Sequence, residues 1–111
     1  MNITEYRLMI AKDMSEAVLQ TKCEQVAREL GWLAYHTHDS RRSQAGFPDC
    51  VFLHPTSGRL VIRELKTMKG TASTDQKKWL AAFELAGVDT GIWRPIDYLN
   101  ETVINTLKET H

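Results

Sequence analysis

Three stretches of the chain repeat apolar residues at the three- and four-residue spacing of an amphipathic helix. They cover residues 13–30, 74–87 and 96–109. Gly31 directly follows the first stretch and Gly87 closes the second, and glycine is favoured where a helix ends. The pattern therefore predicts three helices, the last of them near the C-terminus.

Strand-like runs fill the intervals between these helices. Residues 32–37 and 89–95 are short and rich in aromatic or β-branched side chains. The runs 49–54 and 59–66 flank a Pro-Thr-Ser-Gly turn, which is a hairpin signal. The elements follow the order α-β-β-β-α-β-α. This order predicts a mixed sheet flanked by helices, in the α/β or α+β class.

Length and composition add little beyond an ordinary globular protein. The chain has 111 residues, with 42% hydrophobic and 25% charged residues, and we expect one domain over residues 1–111. It contains no apolar run near the ~20 residues that span a bilayer and no signal-peptide pattern. We therefore expect a cytoplasmic protein without a membrane partner. Cys23 and Cys50 fall inside predicted elements and are expected to be reduced core residues.

The predicted hairpin brings three charged residues together at its open end. If the turn is symmetric about Thr56 and Ser57, Asp49 lies opposite Glu64, and Lys66 shares their face. Directly opposed like charges destabilise a sheet, so a compensating cation is expected. Two carboxylates suit a hard, oxygen-seeking ion such as Mg²⁺. The alternative is that Asp49 only begins the strand while Glu64 and Lys66 form a surface ion pair.

A third carboxylate is predicted to face the core from the first long helix. On a helical wheel Glu16 falls inside the apolar arc, whereas Glu24 and Glu29 fall outside it. A carboxylate directed at the core needs a partner, and a metal ion would serve. The alternative is a capping box that joins Asp13 to Glu16, three residues apart.

Charge is balanced overall but uneven along the chain. Formal net charge is zero at pH 7, which does not indicate a bulk nucleic-acid binder. Residues 38–78 nevertheless contain eight Lys or Arg residues against four Asp or Glu residues. The centre of the chain is therefore locally basic. Solvated surface charge explains that excess equally well.

The charged hairpin belongs to a longer ordered set of motifs. Gly46-Phe47-Pro48-Asp49 is followed by Glu64-Leu65-Lys66. The other motifs are Ser15-Glu16 in a helix, Gly31-Trp32, the run His38-Asp39-Ser40-Arg41-Arg42-Ser43, Ser73-x-x-Gln76-x-x-Trp79, and Trp93-Arg94-Pro95. Over roughly residues 15–98 the chain resembles the VRR-NUC branch of the PD-(D/E)XK nuclease superfamily. The resemblance implies an α/β, restriction-endonuclease-like core with a mixed four-stranded sheet flanked by helices.

The resemblance also implies roles for individual residues. Asp49, Glu64 and the main-chain carbonyl of Leu65 would bind a catalytic Mg²⁺ or Mn²⁺, and Glu16 would complete the site. Lys66 would hold or activate the attacking water and stabilise charge on the phosphate.

Four further residues are candidates around this site. The family often has a glutamine near the catalytic lysine, which points to Gln76, although Ser73 and Gln76 also fit a capping box. Arg41, Arg42 and Lys69 are loop cations suited to sequence-independent contacts with DNA phosphates. Ordinary solvated charge is the alternative for these three.

The resulting expectation is a metal-dependent DNA endonuclease selective for branched or four-way-junction DNA. Stand-alone members of the family are similar to junction-resolving enzymes, so we expect a homodimer. Its interface is expected at the apolar N-terminal residues Tyr6, Leu8, Met9 and Ile10, which could instead pack on their own core. The rival functions are a non-catalytic nucleic-acid-binding module, a nonspecific nicking enzyme and a structural domain of a larger assembly.

Overall fold

The computed structural model describes residues 1–37 and 44–111. In chain order the elements are α1 Ile3–Ala11, α2 Glu16–Glu29, β1 Leu33–His36, β2 Cys50–Leu53, β3 Leu60–Leu65, α3 Thr74–Leu85, β4 Asp89–Trp93, α4 Pro95–Leu99 and α5 Thr102–Lys108. Each predicted strand is present, and the predicted α/β class with a mixed four-stranded sheet is confirmed. Across these two ranges, no helix combines the length and apolar character needed to cross a bilayer.

The sheet has the strand order β1-β2-β3-β4. The first three strands pair antiparallel, and β4 joins β3 in parallel after the crossover through α3. In the hairpin Leu53 pairs with Leu60 and Cys50 with Arg63, which is the register that a turn centred on Thr56 and Ser57 predicts. The predicted pairing is therefore confirmed.

The main core lies between α2, the sheet and the C-terminal helices. Its fully buried members include Leu19 and Ala27 of α2 with Phe52 and Val61 of the hairpin. The indole of Trp32 donates a hydrogen bond of 2.8 Å to the carbonyl of Leu107 and so attaches α5 to the start of β1.

Both cysteines are free and buried, as the sequence predicts. Burial raises the pKa of Cys23 to about 12, and it also raises the pKa of Cys50. A thiol with a raised pKa is a poor nucleophile at neutral pH, which suits a core role.

Two helical features differ from the prediction. The N-terminal apolar segment forms α1, capped by Asn2, whose side chain accepts a hydrogen bond from Glu5 N at 2.8 Å. No helix was predicted there because its apolar residues do not follow a clear helical spacing. The predicted C-terminal helix is divided into α4 and α5 at Glu101, which has the left-handed backbone angle φ 71°. A left-handed residue cannot continue a right-handed helix, so the chain turns there.

Candidate active site

The hairpin places Asp49 beside Glu64 at the end of the sheet away from the turn. Pairing of Cys50 with Arg63 makes Asp49 and Glu64 the next opposed residues. The Asp49 carbonyl accepts a hydrogen bond from Thr37 N at 3.0 Å. The Asp49 Oδ2 atom accepts a hydrogen bond of 2.9 Å from Leu65 N. The Asp49 carboxylate is thus held against the main chain of β3 rather than turned into solvent.

The Glu64 carboxyl group is buried and, apart from the neighbouring Asp49 carboxyl group, finds no hydrogen-bonding partner among the described residues. The residue is 1% exposed, and in the described ranges neither side-chain oxygen accepts a hydrogen bond. Burial raises the pKa of Glu64 from 4.5 to about 9, the nearby Asp49 carboxylate adds to the rise, and Lys66 partly opposes it. An ionised carboxylate here needs a compensating cation. Two orphaned oxygens beside a second carboxylate therefore fit a hard divalent ion.

The turn before Asp49 depends on a glycine. Gly46 has a left-handed φ of 82°, and a Cβ atom added there would lie 2.5 Å from the carbonyl carbon of Asp75. Side chains are excluded at this distance, so the first turn of α3 packs directly on the backbone of the Gly-Phe-Pro-Asp motif. Glycine is therefore required at position 46 for a steric reason that the sequence motif alone does not reveal.

Aromatic side chains then attach the same turn to α3. The Phe47 ring meets the Trp79 ring edge-on at a centroid distance of 5.1 Å and the Phe83 ring at 6.1 Å. The Trp79 indole donates a hydrogen bond of 3.0 Å to the Ala45 carbonyl. Helix α3 therefore fixes the segment that leads into the aspartate, although it contributes no metal-ligand candidate.

Gln76 adopts the capping geometry that the sequence offered as its alternative role. Ser73 N donates a hydrogen bond of 2.8 Å to the Gln76 Oε1 atom, and Gln76 N donates one of 3.1 Å to the Ser73 hydroxyl. The amide oxygen of Gln76 is therefore occupied at the start of α3. Its part in the chemistry remains a prediction.

The predicted burial of Glu16 is wrong. Glu16 is exposed as the first residue of α2, and Ser15 caps the helix by accepting a hydrogen bond from Val18 N at 3.1 Å. The alternative cap by Asp13 is therefore also wrong. The buried residues of α2 begin at Leu19, so its first turn extends beyond the part that the core covers. A helical wheel gives direction around the axis but not position along it.

Glu24 is the buried glutamate of α2, although the wheel placed it outside the apolar arc. Its Oε1 lies 2.8 Å from His36 Nδ1 on β1, and its Oε2 accepts a hydrogen bond of 3.3 Å from Arg28. The flank of the helix is covered by the end of β1, which no pattern within α2 could indicate. Glu24 and His36 form a polar pair that the sequence did not reveal.

Glu16 nevertheless lies at the same end of the domain as the carboxylate pair. The Glu24–His36 contact joins α2 to β1 across the turn between them, so α2 and β1 run in opposite directions. Because β2 pairs antiparallel with both β1 and β3, β3 runs parallel to β1. The start of α2 is therefore near the end of β3. Eight residues of helix put Glu16 ~12 Å beyond Glu24 along the axis of α2.

The structure brings two, not three, carboxylates together. Within residues 1–37 and 44–111, no three or more His, Cys, Asp and Glu side chains form a group that could hold a metal. Asp49 and Glu64 with the Leu65 carbonyl are thus the ligand candidates in place, while Glu16 stands apart.

Of the four basic residues predicted at the site, the structure describes two. Lys66 is half-buried, and its backbone N–H donates a hydrogen bond of 3.1 Å to the Trp93 carbonyl of β4. Lys69 is exposed just beyond it. Arg41 and Arg42 lie outside the described residues.

Comparisons with known proteins give one consistent result. The family profile described as the VRR-NUC domain matches residues 6–94. A solved structure titled "VRR_NUC domain" superimposes with a TM-score of 0.67, covers 79% of this chain and 92% of its own, and is 17% identical in sequence. At that identity the likeness concerns the fold alone. Curated protein sequences gave no match.

Proposed function

The chain belongs to the VRR-NUC domain family, which implies a nuclease-type function, and on this premise we propose a Mg²⁺- or Mn²⁺-dependent DNA endonuclease. The observation that carries the proposal is the placement of Asp49 opposite a buried Glu64 whose oxygens accept no hydrogen bond in the described ranges, with Lys66 two residues further along the chain. Binding of nucleic acid alone does not require two opposed acids, whereas hydrolysis of a phosphodiester requires a Lewis acid and an oriented nucleophile.

The donor set at the hairpin end supports a divalent ion. Asp49, Glu64 and the Leu65 carbonyl would hold it, and Glu16 is proposed as a further ligand that would have to move toward the ion from the start of α2. Such an ion, when bound, polarises the phosphate and lowers the pKa of an attacking water.

The chain's own groups have separable tasks in this proposal. The hydrogen bond from Leu65 N fixes the Asp49 carboxylate, so its second oxygen has a defined direction. Lys66 is on the same face of the hairpin as Glu64 by strand alternation. Its ammonium group would orient the attacking water and donate to a phosphate oxygen as negative charge develops there.

The surface around the site supports contact with a polyanion. Lys69 is exposed next to the site. Arg41 and Arg42, for which the proposal rests on the sequence, would add sequence-independent phosphate contacts weakened by salt.

Selectivity for branched DNA would follow from a two-fold dimer. Helix α1 exposes Tyr6, Leu8, Met9 and Ile10, and a second copy of this chain packed on them would pair two sites. A homodimer would double the basic surface that a junction contacts. Light scattering at micromolar protein concentration, with and without junction DNA, tests this part of the proposal.

The direct test is cleavage of labelled single-stranded, duplex, flap and four-way-junction DNA with Mg²⁺, Mn²⁺ or chelator. We expect cleavage only with metal and fastest with the junction. Lys66→Ala is the matched inactive variant, expected to bind DNA within a few-fold of wild type because one phosphate contact is a small part of total affinity. Cleavage by Lys66→Ala at the wild-type rate, or by wild type in chelator, would contradict the proposal.

One observation favours a second candidate, a non-catalytic module that keeps the nuclease fold. The described residues bring no third His, Cys, Asp or Glu side chain to Asp49 and Glu64, and the Gln76 oxygen is used in a helix cap. Such a module would bind DNA without any turnover under the metal conditions above.

A further inference from the structure

Arg94 holds three carbonyl groups of the turn that follows Lys66. Its Nη1 atom donates hydrogen bonds to the carbonyls of Thr67 at 2.6 Å, Gly70 at 2.7 Å and Met68 at 3.4 Å. These residues form the 67–70 turn, in which Gly70 N donates a hydrogen bond to the Thr67 carbonyl. One guanidinium nitrogen therefore donates to three of the four carbonyls of this turn.

Within residues 1–37 and 44–111, the charge of Arg94 has no carboxylate to neutralise it. In the described part of the chain, no Asp or Glu oxygen forms a salt bridge with its guanidinium, whereas Arg59 and Arg63 both pair with Asp89. Arg94 is only half-exposed, and a guanidinium removed from water needs acceptors. The three carbonyl dipoles supply them, so the side chain and the turn stabilise each other.

The backbone of Arg94 is itself fixed. Its N–H donates a hydrogen bond of 2.7 Å to Asp97 Oδ2, and Asp97 N returns one of 2.8 Å to the Arg94 carbonyl. Pro95 begins α4 directly afterwards. The guanidinium thus extends from a capped helix start, a rigid base for holding a neighbouring turn.

The 67–70 turn lies against the side chain of Lys66. A Cβ atom added at Gly70 would be 3.5 Å from Lys66 Cδ and 3.1 Å from the Thr67 hydroxyl. The Lys66 backbone is hydrogen-bonded to Trp93, the residue before Arg94. Both the backbone of Lys66 and the surface along its side chain therefore depend on the end of β4.

We propose that Arg94 is a positioning residue that sets the direction of the Lys66 ammonium group by clamping the 67–70 turn. The same clamp fixes the main chain on which Lys69 stands. The role is indirect, because Arg94 holds main-chain carbonyls and not a reacting atom. The proposal rests on the nuclease function proposed above, and it assigns Arg94 to the rate of the chemical step rather than to metal binding.

Arg59 provides a matched control at the other end of the sheet. Its Nη1 atom also donates to main-chain carbonyls, those of Thr106 at 2.9 Å and of Glu109, at the end of α5. Arg59→Gln and Arg94→Gln therefore each remove a guanidinium from a set of carbonyls. Only the second change is next to Lys66.

Steady-state kinetics on junction DNA test the proposal. We expect Arg94→Gln to lower kcat at least tenfold with KM within about threefold and Mn²⁺ affinity within about twofold of wild type. Arg94→Lys keeps donors for the carbonyls and should retain more kcat than Arg94→Gln. Arg59→Gln should keep the kcat of wild type well below its unfolding temperature. A wild-type kcat in Arg94→Gln, or equal losses in Arg94→Gln and Arg59→Gln, overturns the assignment.

Hydrogen exchange separates failure of the clamp from failure of the proposed function. The Gly70 amide donates to Thr67 inside the clamped turn. Its exchange should accelerate at least tenfold in Arg94→Gln and stay unchanged in Arg59→Gln, whether or not DNA is cleaved. Faster exchange with no wild-type cleavage would reject the nuclease and keep the clamp. Unchanged exchange in Arg94→Gln would reject the clamp.

Discussion

Buried charge is compensated by oppositely charged partners at one end of the sheet and is not compensated at the other. At the end where β3 and β4 begin, Arg59 and Arg63 contact the Asp89 carboxylate at 2.6 and 2.8 Å. Burial alone would raise the pKa of Asp89, but the hydrogen bonds and charges of Arg63 and Arg59 outweigh it and lower that pKa. At the end where β3 finishes, Glu64 is buried beside another acid and its pKa is raised.

The contrast distinguishes structural charge from functional charge within one small sheet. Where all partners belong to the chain, as around Asp89, the network is complete and binds α5 to the strands. Where partners are missing, as around Glu64, the protein carries a cost that a ligand can offset. The Glu64 end of the sheet is therefore where we propose the site, and the Asp89 end supports it structurally.

The largest expected effect comes from removing one acid at the end of the sheet that contains Asp49 and Glu64. Asp49→Asn should abolish cleavage, by roughly 1,000-fold or more, because the ligand set and its charge are lost. Without metal and above about pH 9, where both carboxylates are ionised, the variant should be at least as thermally stable as wild type, since the repulsion with Glu64 is relieved. Calorimetric titration with Mn²⁺ and a thermal scan in chelator measure both quantities. Mn²⁺ affinity equal to that of wild type would refute the hairpin site.

A change at the Asp89 end of the sheet should have the opposite result, a loss of stability without a loss of activity. Asp89→Asn leaves two arginines without their carboxylate, one of them with a 9% exposed side chain, and should lower the free energy of unfolding by about 1–3 kcal/mol. Urea denaturation in chelator gives that value. The kcat of the folded protein should be unchanged. A stable but inactive Asp89→Asn protein would mean that the two ends are not independent.

The two glutamates of α2 sharpen the comparison. Glu24→Gln should lower stability by about 1–2 kcal/mol, since a buried carboxylate that contacts His36 and Arg28 is changed. Glu16→Gln should change stability by less than about 0.5 kcal/mol, because the residue is exposed, and yet lower the cleavage rate. Paired denaturation and cleavage assays separate the effects. Full activity in Glu16→Gln would remove it from the ligand set.

A further expected effect is a pH dependence of stability. The raised pKa of Glu64 means that, between pH 4.5 and about 9, the folded protein retains a proton that the unfolded chain has lost. The metal-free protein should therefore lose stability as pH rises through this window. Glu64→Gln should flatten the dependence. Unfolding temperatures at pH 5 and pH 8 in chelator give the comparison, and identical pH slopes for the two proteins would argue against a buried, protonated Glu64.

Local patterns in the sequence predicted the fold and the strand pairing at the centre of the proposed site. Alternation around a short turn is enough to set the register that puts Asp49 opposite Glu64. The position of Glu16 could not be obtained in this way, because burial along α2 depends on where the neighbouring layers end. The contacts of Arg94 arise from the pairing of β4 with β3, which are separated by a whole helix in the sequence. Such non-local contacts leave no local pattern.

The parallel pairing of β3 with β4 also implies an order of assembly. The β2–β3 hairpin closes a short loop, so it can form early and bring Asp49 and Glu64 together by itself. The Trp93 carbonyl reaches Lys66, and the Arg94 guanidinium reaches the 67–70 turn, only after α3 has been formed and β4 has docked. During synthesis on the ribosome, the acids would therefore be in place before the lysine is aligned. Under the proposed function, a nascent chain would acquire a place for the ion first and competence for hydrolysis only at the end.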